Sequence, residues 1–266
     1  MMNENRAIVS KALPSESSQI ETIHRNAFPQ DFICDWLFLS PLVSRYIRKA
    51  IEAGDLMQTY PEFFTAKLAG NLAGYVNAKI YDESLSINYI AVAPKFQRQG
   101  IAKQLLTYIE VECQNHHHIK NITLDVDINN KPGLSLYKKL GYEIKYSKFL
   151  YEIPIDYFDT QQCSFEIKNW LEAEAWQYSY GFSYVMLSVN NSDLLKIGRL
   201  GNDYWRITDL SYIINYRGLT HALKSIEPNR SKIFVRSAQI ISELPNRPIN
   251  FLNMEKTLPL YGYTNS

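Results

Sequence analysis

The fold of this chain is decided by residues 87–102, Ile87-Asn88-Tyr89-Ile90-Ala91-Val92-Ala93-Pro94-Lys95-Phe96-Gln97-Arg98-Gln99-Gly100-Ile101-Ala102. The run up to Val92 is apolar and β-favouring, and Pro94 ends the strand because proline has no N–H to donate to a neighbour. From Ile101 onward the apolar residues recur with the period of a helix. The stretch therefore predicts a strand, a short loop that contains Gly100, and a helix.

A strand, a glycine loop and a helix N-terminus together form an anion-binding arrangement. Unpaired backbone N–H groups and the positive end of the helix dipole point in the same direction there. The loop lacks the spacing of a P-loop and the three glycines of a dinucleotide fingerprint. The loop is therefore expected to be neither a P-loop nucleotide site nor a dinucleotide site.

Two motifs in this chain resemble the hallmarks of one family. The loop Gln97-Arg98-x-Gly100-x-Ala102 is similar to the [Gln/Arg]-x-x-Gly-x-[Gly/Ala] pyrophosphate loop of the GNAT superfamily of acetyl-CoA-dependent N-acetyltransferases. Further on, the chain reads Asn130-x-x-Gly133-x-x-Leu136-Tyr137-x-x-x-Gly141-Tyr142. This resembles the family's second motif, which usually has alanine where Gly133 stands. The two motifs occur in the family's order, with a helix and a strand predicted between them.

The resemblance covers residues 6–153, whose elements are predicted in the order β-α-α-β-β-β-α-β-α-β-β. It implies an α+β fold of three layers, the GNAT fold. The central sheet is then mixed and mostly antiparallel, with a β-bulge and a splay between strands 4 and 5. Residues 142–144 and 149–153 are predicted to be the last two strands.

We expect two domains, with residues 1–153 binding acetyl-CoA and residues 154–266 forming a C-terminal α+β domain. The second half is predicted to contain a helix at 165–180, several strands, and a final strand at 251–258. Its element order weakly resembles the second half of a GNAT unit, but its helix is preceded by no comparable glycine loop. A degenerate second GNAT-like half and an unrelated α+β extension both remain open.

Composition restricts the partners. The formal net charge is +1, which argues against nucleic acid as a partner. No apolar run approaches the length of about 18 residues that spans a bilayer, and no secretory signal is evident, so we expect no membrane partner and a cytoplasmic location. Three separated cysteines fit neither a disulfide framework nor a zinc cluster. The tract 116–118 of three adjacent histidines cannot face one ion, so no metal is expected.

The resemblance implies where acetyl-CoA binds. Its pantetheine arm is expected to lie between the fourth and fifth strands, hydrogen-bonded to backbone groups in the way that an added strand would be. Its pyrophosphate is expected to receive N–H groups from the loop, and the second motif completes the site. The predicted coenzyme residues are Ile90, Ala91, Val92, Gln97, Arg98, Gln99, Gly100, Ile101, Ala102, Asn130 and Tyr137.

Direct transfer to an amine requires an oxyanion donor and a proton for the leaving thiolate. The resemblance implies the backbone N–H of Ile90 for the first role. Tyr137 is the candidate for the second, because a phenol can protonate a thiolate. Its ordinary interpretation is a core tyrosine three residues after Leu134.

The general base is less well defined. Many family members have a glutamate on the strand before the loop, but the matching residue here is Asn88, which cannot accept a proton. Asp125 on the next strand is the first candidate for the base, although a solvated strand carboxylate is an equally good interpretation. The alternatives that remain open are a water chain and the residues Asp127, Tyr89, Tyr75 and His24.

The sequence thus predicts a GNAT-type enzyme that transfers an acetyl group from acetyl-CoA to a primary amine. The acceptor is a small molecule or a peptide, and the protein is a monomer or a homodimer. Two alternatives belong to other classes: a non-catalytic acyl-CoA sensor, and a protein-interaction module built on the same fold.

Overall fold

A computed structural model describes residues 6–28, 36–54, 62–114, 119–158, 161–191, 193–208, 210–216 and 218–259. The chain divides into two compact units that are each discontinuous in sequence. Unit 1 comprises Met1–Phe32, Ser44–Tyr146 and Leu252–Ser266, and unit 2 comprises Ile33–Val43 and Ser147–Phe251. The division at residue 153 stays a prediction, while the contacts place the final strand with unit 1.

Unit 1 contains a sheet with helices packed on it. Its helices are α1 (Ser17–Ala27), α2 (Val43–Gly54), α3 (Ile101–Gln114) and α4 (Lys131–Lys139). Its strands are β1 (Ile8–Lys11), β2 (Glu62–Leu68), β3 (Asn71–Tyr81), β4 (Ser84–Val92), β5 (Asn121–Asp127), the first part of β6 (Glu143–Pro154) and most of β12 (Ile249–Thr257). The strand order is β1-β2-β3-β4-β5-β12-β6.

Local sequence explains the ends of these elements. The side chain of Asn130 accepts a hydrogen bond from the N–H of Gly133 at 3.0 Å and so caps α4, with Pro132 in the first turn. Gly141 follows the helix at φ +88°, a conformation that suits glycine at a helix end. Residues next to α4 in the sequence thus define both of its ends.

The core of unit 1 lies between α3 and the sheet. Ile101, Leu105, Leu106 and Ile109 are at most 1% exposed, which confirms the apolar face predicted for this helix. They pack with buried residues of β3, β4 and β5 and with Met254 of β12. The strand before the loop and the helix after it are thereby packed together in one core.

Two predictions about secondary structure are wrong. Residues 142–144 and 149–153 are not separate strands, because β6 runs without interruption from Glu143 to Pro154. No glycine or proline interrupts that run before Pro154. The place next to β5 is taken by β12, from the other end of the chain. The predicted helix at 165–180 begins only at Trp170, after a short strand.

Unit 2 contains the second part of β6 and further elements of its own. They are β7 (Phe165–Ile167), α5 (Trp170–Tyr180), β8 (Phe182–Val189), β9 (Leu195–Leu200), β10 (Tyr204–Ile207), α6 (Ser211–Asn215), α7 (Leu219–Ile226) and β11 (Lys232–Ser237). The strand order is β7-β8-β9-β10-β11-β6. β10 and β11 are parallel, whereas β7, β8, β9 and β10 pair antiparallel in turn.

The first five strands of unit 2, β7 to β11, therefore repeat the order of β1 to β5 in unit 1. In unit 1 the first four strands pair antiparallel and β4 pairs with β5 in parallel, with α3 connecting them. In unit 2, α6 and α7 connect the corresponding parallel pair. Within the described residues, no helix combines the length and the apolar character needed to cross a membrane.

Candidate functional site

The central feature of unit 1 is a gap between β4 and β5. The two strands pair only from Ser84 with Asn121 to Ile87 with Leu124. Beyond this point β4 continues to Val92 and β5 continues to Asp127, with no recorded pairing between them. The splay expected between the fourth and fifth strands is thus present.

The backbone of β4 offers hydrogen-bonding groups to this gap. Ala93 N–H donates to the carbonyl oxygen of Ala73 on β3 at 2.9 Å. Successive residues of an antiparallel strand direct their N–H and C=O groups to alternate sides. Those of Val92 and Ile90 therefore face the side of β5, whereas those of Ala91 face β3. Ile90 and Val92 are the two residues whose backbone can pair with a ligand in the gap.

The loop after β4 is arranged for an anion. Arg98 has φ +62° and Gly100 has φ +79°, so the chain turns sharply into α3. The first bond of the helix ladder runs from the N–H of Gln104 to the carbonyl of Gly100 at 3.0 Å. The N–H groups of Ile101 and Ala102 precede it and have no partner within the helix. Together with the exposed guanidinium of Arg98, they form a positive end beside the gap.

Two glutamines brace this loop. The Gln97 side chain donates to the carbonyl of Val92 at 3.3 Å, and the Gln99 side chain donates to the carbonyl of Lys95 at 3.1 Å. Their amides stabilise the turn, so their predicted contact with an anion rests on their backbone N–H groups. Asn130 is similar, because its side-chain oxygen is engaged in capping α4.

Tyr137 of α4 lies in the core of unit 1. It is 7% exposed and its ring meets that of Tyr142 edge-on at 5.9 Å. Burial raises the pKa of Tyr137 to about 12, so the phenol keeps its proton at neutral pH. Tyr137 is therefore a core tyrosine, as its ordinary interpretation predicts. Its hydroxyl also keeps the proton that a general acid must donate.

The carboxylates of β5 differ in their partners. Asp127 accepts a hydrogen bond from the N–H of Asn129 at 2.6 Å, which commits it to the turn before α4. Asp125 accepts one from the side chain of Asn253 on β12 at 2.8 Å. Asn88 is exposed on β4 and donates to the side-chain oxygen of Asn77 at 3.1 Å. Of the two acids, Asp125 is the one outside the turn.

Three other candidates for the base meet on the α1 face of the sheet. His24 is 1% exposed and its Nδ1 lies within hydrogen-bonding distance of the hydroxyl of Tyr75, which is also fully buried. The imidazole stacks on Phe28 at 4.5 Å and meets the ring of Tyr89 edge-on at 5.4 Å. The sequence named these residues separately, and the fold brings them into one aromatic cluster.

A cavity of about 550 Å³ opens elsewhere on unit 1, between α1, the β2–β3 turn and the start of the loop. Its lining residues are Gln19, Thr22, Ile23, Asn26, Gly70, Asn71, Leu72, Ala93, Pro94 and Lys95. None of the predicted site residues is among them, so the gap and this cavity are different features.

Sequence reasoning missed Asn253. It is 5% exposed on β12 and bonds to Asp125, which lies 128 positions earlier in the chain. Alternation in the last strand could have indicated that it is buried, but no local pattern links it to Asp125. The histidine tract at 116–118, where no metal is expected, lies outside the described residues. Within the described residues, no group of potential metal ligands occurs.

Known proteins match this chain in sequence and in fold. The Acetyltransferase (GNAT) family profile matches residues 24–142. The catalytic subunit of the N-terminal acetyltransferase B complex of Arabidopsis thaliana is 30% identical over 91 residues, which cover 32% of this chain and 52% of that protein. An N-alpha-acetyltransferase of Sulfurisphaera tokodaii is 26% identical over 156 residues, covering 54% and 84%. The chain spans about half the length of the first curated relatives it matches.

A solved structure extends the likeness in fold to nearly the whole chain. A tandem GNAT protein from the clavulanic acid biosynthesis pathway superposes with a TM-score of 0.62 and 10% identity. The match covers 95% of this chain and 99% of that one. The solved structure shows a likeness in fold alone, while the family profile identifies residues 24–142 as a GNAT acetyltransferase domain.

Proposed function

We propose that the protein is an N-acetyltransferase that uses acetyl-CoA to acetylate a primary amine. The observation that carries this proposal is the gap between β4 and β5, where pairing ends at Ile87 and Leu124. The backbone groups of Ile90 and Val92 are directed into the gap, which leads to the N-terminus of α3. A pantetheine arm pairs as an extended strand, and a pyrophosphate requires N–H donors, so both parts of coenzyme A find matching groups.

Three residues of unit 1 have separate roles in the proposed reaction. Acetyl-CoA is the second substrate and supplies an acetyl group activated as a thioester. The N–H of Ile90 donates to the thioester carbonyl oxygen. The amine nitrogen forms the new C–N bond as the C–S bond breaks. Asp125 takes the proton that leaves the amine, and Tyr137 gives its proton to the thiolate. Exchange with solvent then restores both side chains.

The acceptor is an amine of a protein terminus or of a small molecule. The relatives named above are N-terminal and N-alpha-acetyltransferases, which supports a free α-amino group as the first acceptor to test. We further propose that residues 1–153 carry the acetyl-CoA site and that residues 154–266 are a degenerate second GNAT-like half. The repeated strand order of unit 2 supports this division. Cytoplasmic location and the absence of nucleic acid or membrane partners stay predictions.

The test combines calorimetry with a screen for turnover. Acetyl-CoA is titrated into the full chain, and release of free CoA is then followed with a panel of peptides that have free N-termini, polyamines and arylalkylamines. We expect binding and acceptor-dependent release of CoA. Binding with no release from any amine would favour the acyl-CoA sensor, for which Asn88 in place of a carboxylate is the supporting observation. Absence of binding would overturn the proposal.

A further inference from the structure

The carboxylate missing from β4 has a counterpart on β5. Asn77 pairs with Tyr89 and Ala78 pairs with Ile87, so Asn88 is the extra residue of a bulge in β4. Asn88 follows the last β4 residue that pairs with β5. On β5, Asp125 follows the last paired residue in the same way. The two side chains therefore lie on the two strands at the point where the gap opens.

Both side chains lie on the α1 face of the sheet. Ile122, Leu124 and Val126 are buried in the core with α3, so Asp125, which alternates with them, points to the opposite face. Asn88 donates to Asn77 on β3. Two residues before Asn77, Tyr75 contacts His24 of α1. The carboxylate of Asp125 thus lies on the same face of the sheet, and at the same opening of the gap, as a carboxylate at position 88 would.

The last strand of unit 1 holds this carboxylate in place. Asn253 donates from Nδ2 to Asp125 Oδ1 at 2.8 Å and lies 3.5 Å from the carbonyl oxygen of Leu124. Asn253 is nearly fully buried, so its amide cannot rotate freely. β12 is anchored beyond it by Met254 in the core and by an ion pair of Lys256 with Glu110 at 2.8 Å. A buried donor on an anchored strand fixes the rotamer of its partner.

We propose that Asn253 is the positioning residue for Asp125, and that the C-terminal strand thereby completes the catalytic apparatus of the first half. This inference rests on the proposed function and adds the residue that orients its base. Asp125 accepts the proton released when the amine nitrogen bonds to the acetyl carbon. The leaving sulfur takes the electron pair of the C–S bond and a proton from Tyr137. An amide at position 253 donates without competing for the amine's proton.

The decisive experiment is a double-mutant cycle with Asn253→Leu and Asp125→Asn, using the amine of highest turnover from the panel. Asn253→Leu removes the donor that orients Asp125 and is expected to lower kcat at least about tenfold, with KM for acetyl-CoA unchanged. In the Asp125→Asn background the same change is expected to have no further effect on kcat. Glu255→Gln on the same strand is the control, and we expect a less than twofold change because its ion pair with Lys145 is partly exposed.

Two outcomes would overturn the inference. One is an equal loss of kcat from Asn253→Leu in both backgrounds, which would assign Asn253 to strand packing alone. The other is an Asp125→Asn variant that keeps more than a third of the wild-type kcat. Asp125 is exposed, so this variant tests the idea even if Asn253→Leu fails to fold. Calorimetry and the turnover screen on the wild type separate these results from failure of the proposed function, in which acetyl-CoA binding or turnover of every amine is absent.

Discussion

The two units share the order of their first five strands but differ in how far the parallel pair of strands stays hydrogen-bonded. In unit 1, β4 runs on for five residues after its pairing with β5 ends at Ile87. In unit 2, β10 is paired with β11 along its whole length, from Tyr204 to Ile207. Two strands that separate before they end leave backbone groups unpaired, whereas a strand that is paired along its whole length has used them.

The connections that follow β4 and β10 also differ. Unit 1 enters the 14-residue helix α3 through Gly100 at φ +79°. Unit 2 enters the five-residue helix α6 from Leu210, and its next glycine in the sequence is Gly218. A long helix that begins at a tight glycine turn presents several N–H groups at one point, which α6 does not reproduce. A similar strand order can therefore occur without the splayed strands and the glycine loop that we propose to bind acetyl-CoA.

The largest expected effect of this difference is the binding stoichiometry. We expect one acetyl-CoA per chain, with unit 2 contributing no site, because every residue of β10 is paired with β11. Isothermal titration of the full chain measures the number directly. A value of two would show that the comparison between the units is wrong.

The next largest effect concerns Tyr137. Removing its hydroxyl with Tyr137→Phe is expected to lower kcat by about 10²-fold, the lower end of general acid catalysis. Affinity for acetyl-CoA should change little, because the ring stays in the core. Steady-state kinetics and calorimetry measure the two quantities.

Tyr142 provides a matched control for this change. Its ring lies 5.9 Å from that of Tyr137, and its buried hydroxyl has no hydrogen-bond partner among the described residues. Tyr142→Phe therefore removes the same group at no cost in hydrogen bonding, and kcat should stay within twofold. Equal losses in the two variants would assign Tyr137 to the core alone.

A smaller effect is expected at the glycine of the loop. Gly100→Ala places a side chain in the left-handed region at φ +79°, which costs about 1–2 kcal/mol. If the loop geometry binds the pyrophosphate, the Kd for acetyl-CoA rises about tenfold, since 1.4 kcal/mol is one decade. Gly70→Ala is the control, because Gly70 has φ +77° and open space around it in the β2–β3 turn. A similar rise in Kd for both variants would contradict a specific role for the loop.

The smallest effect is a dependence of stability on alkaline pH. Tyr137 has a folded pKa of about 12 against an ordinary value of 10, so above pH 10 the unfolded chain loses this proton and the folded chain keeps it. Stability contributed by the neutral phenol is present below pH 10 and falls by about 1.4 kcal/mol per pH unit until about pH 12. Urea unfolding at pH 9 and 11 should show this slope, and Tyr137→Phe should reduce it.

Tyr204 of unit 2 provides a comparison for this fall of stability with pH. Burial raises the pKa of Tyr204 as well, but a hydrogen bond from Lys232 lowers it and opposes the shift. Tyr204→Phe should therefore reduce the alkaline slope less than Tyr137→Phe does. A larger reduction from the Tyr204 variant would mean that burial is not the main cause in unit 1.

Much of unit 1 was predictable because its signals are local. The glycine turn into α3, the Asn130 cap and the Gly141 stop each depend on residues within a few positions of one another. The splay between β4 and β5 followed from the resemblance and is present. The predicted break in β6 failed because strand continuity there depends on neighbours that lie far away in sequence.

The sequence by itself determined the element order from β1 to α4, the loop at Gly100 and the family resemblance of the first half, because the propensities and turns that encode them act over short separations. Only the tertiary structure decided that the C-terminal strand lies beside β5, that Asn253 contacts Asp125, and that His24 and Tyr75 share one cluster. Contacts of this kind join residues 51 and 128 positions apart. They form because packing selects which buried donors meet which acceptors, and no pattern within a single segment encodes that choice.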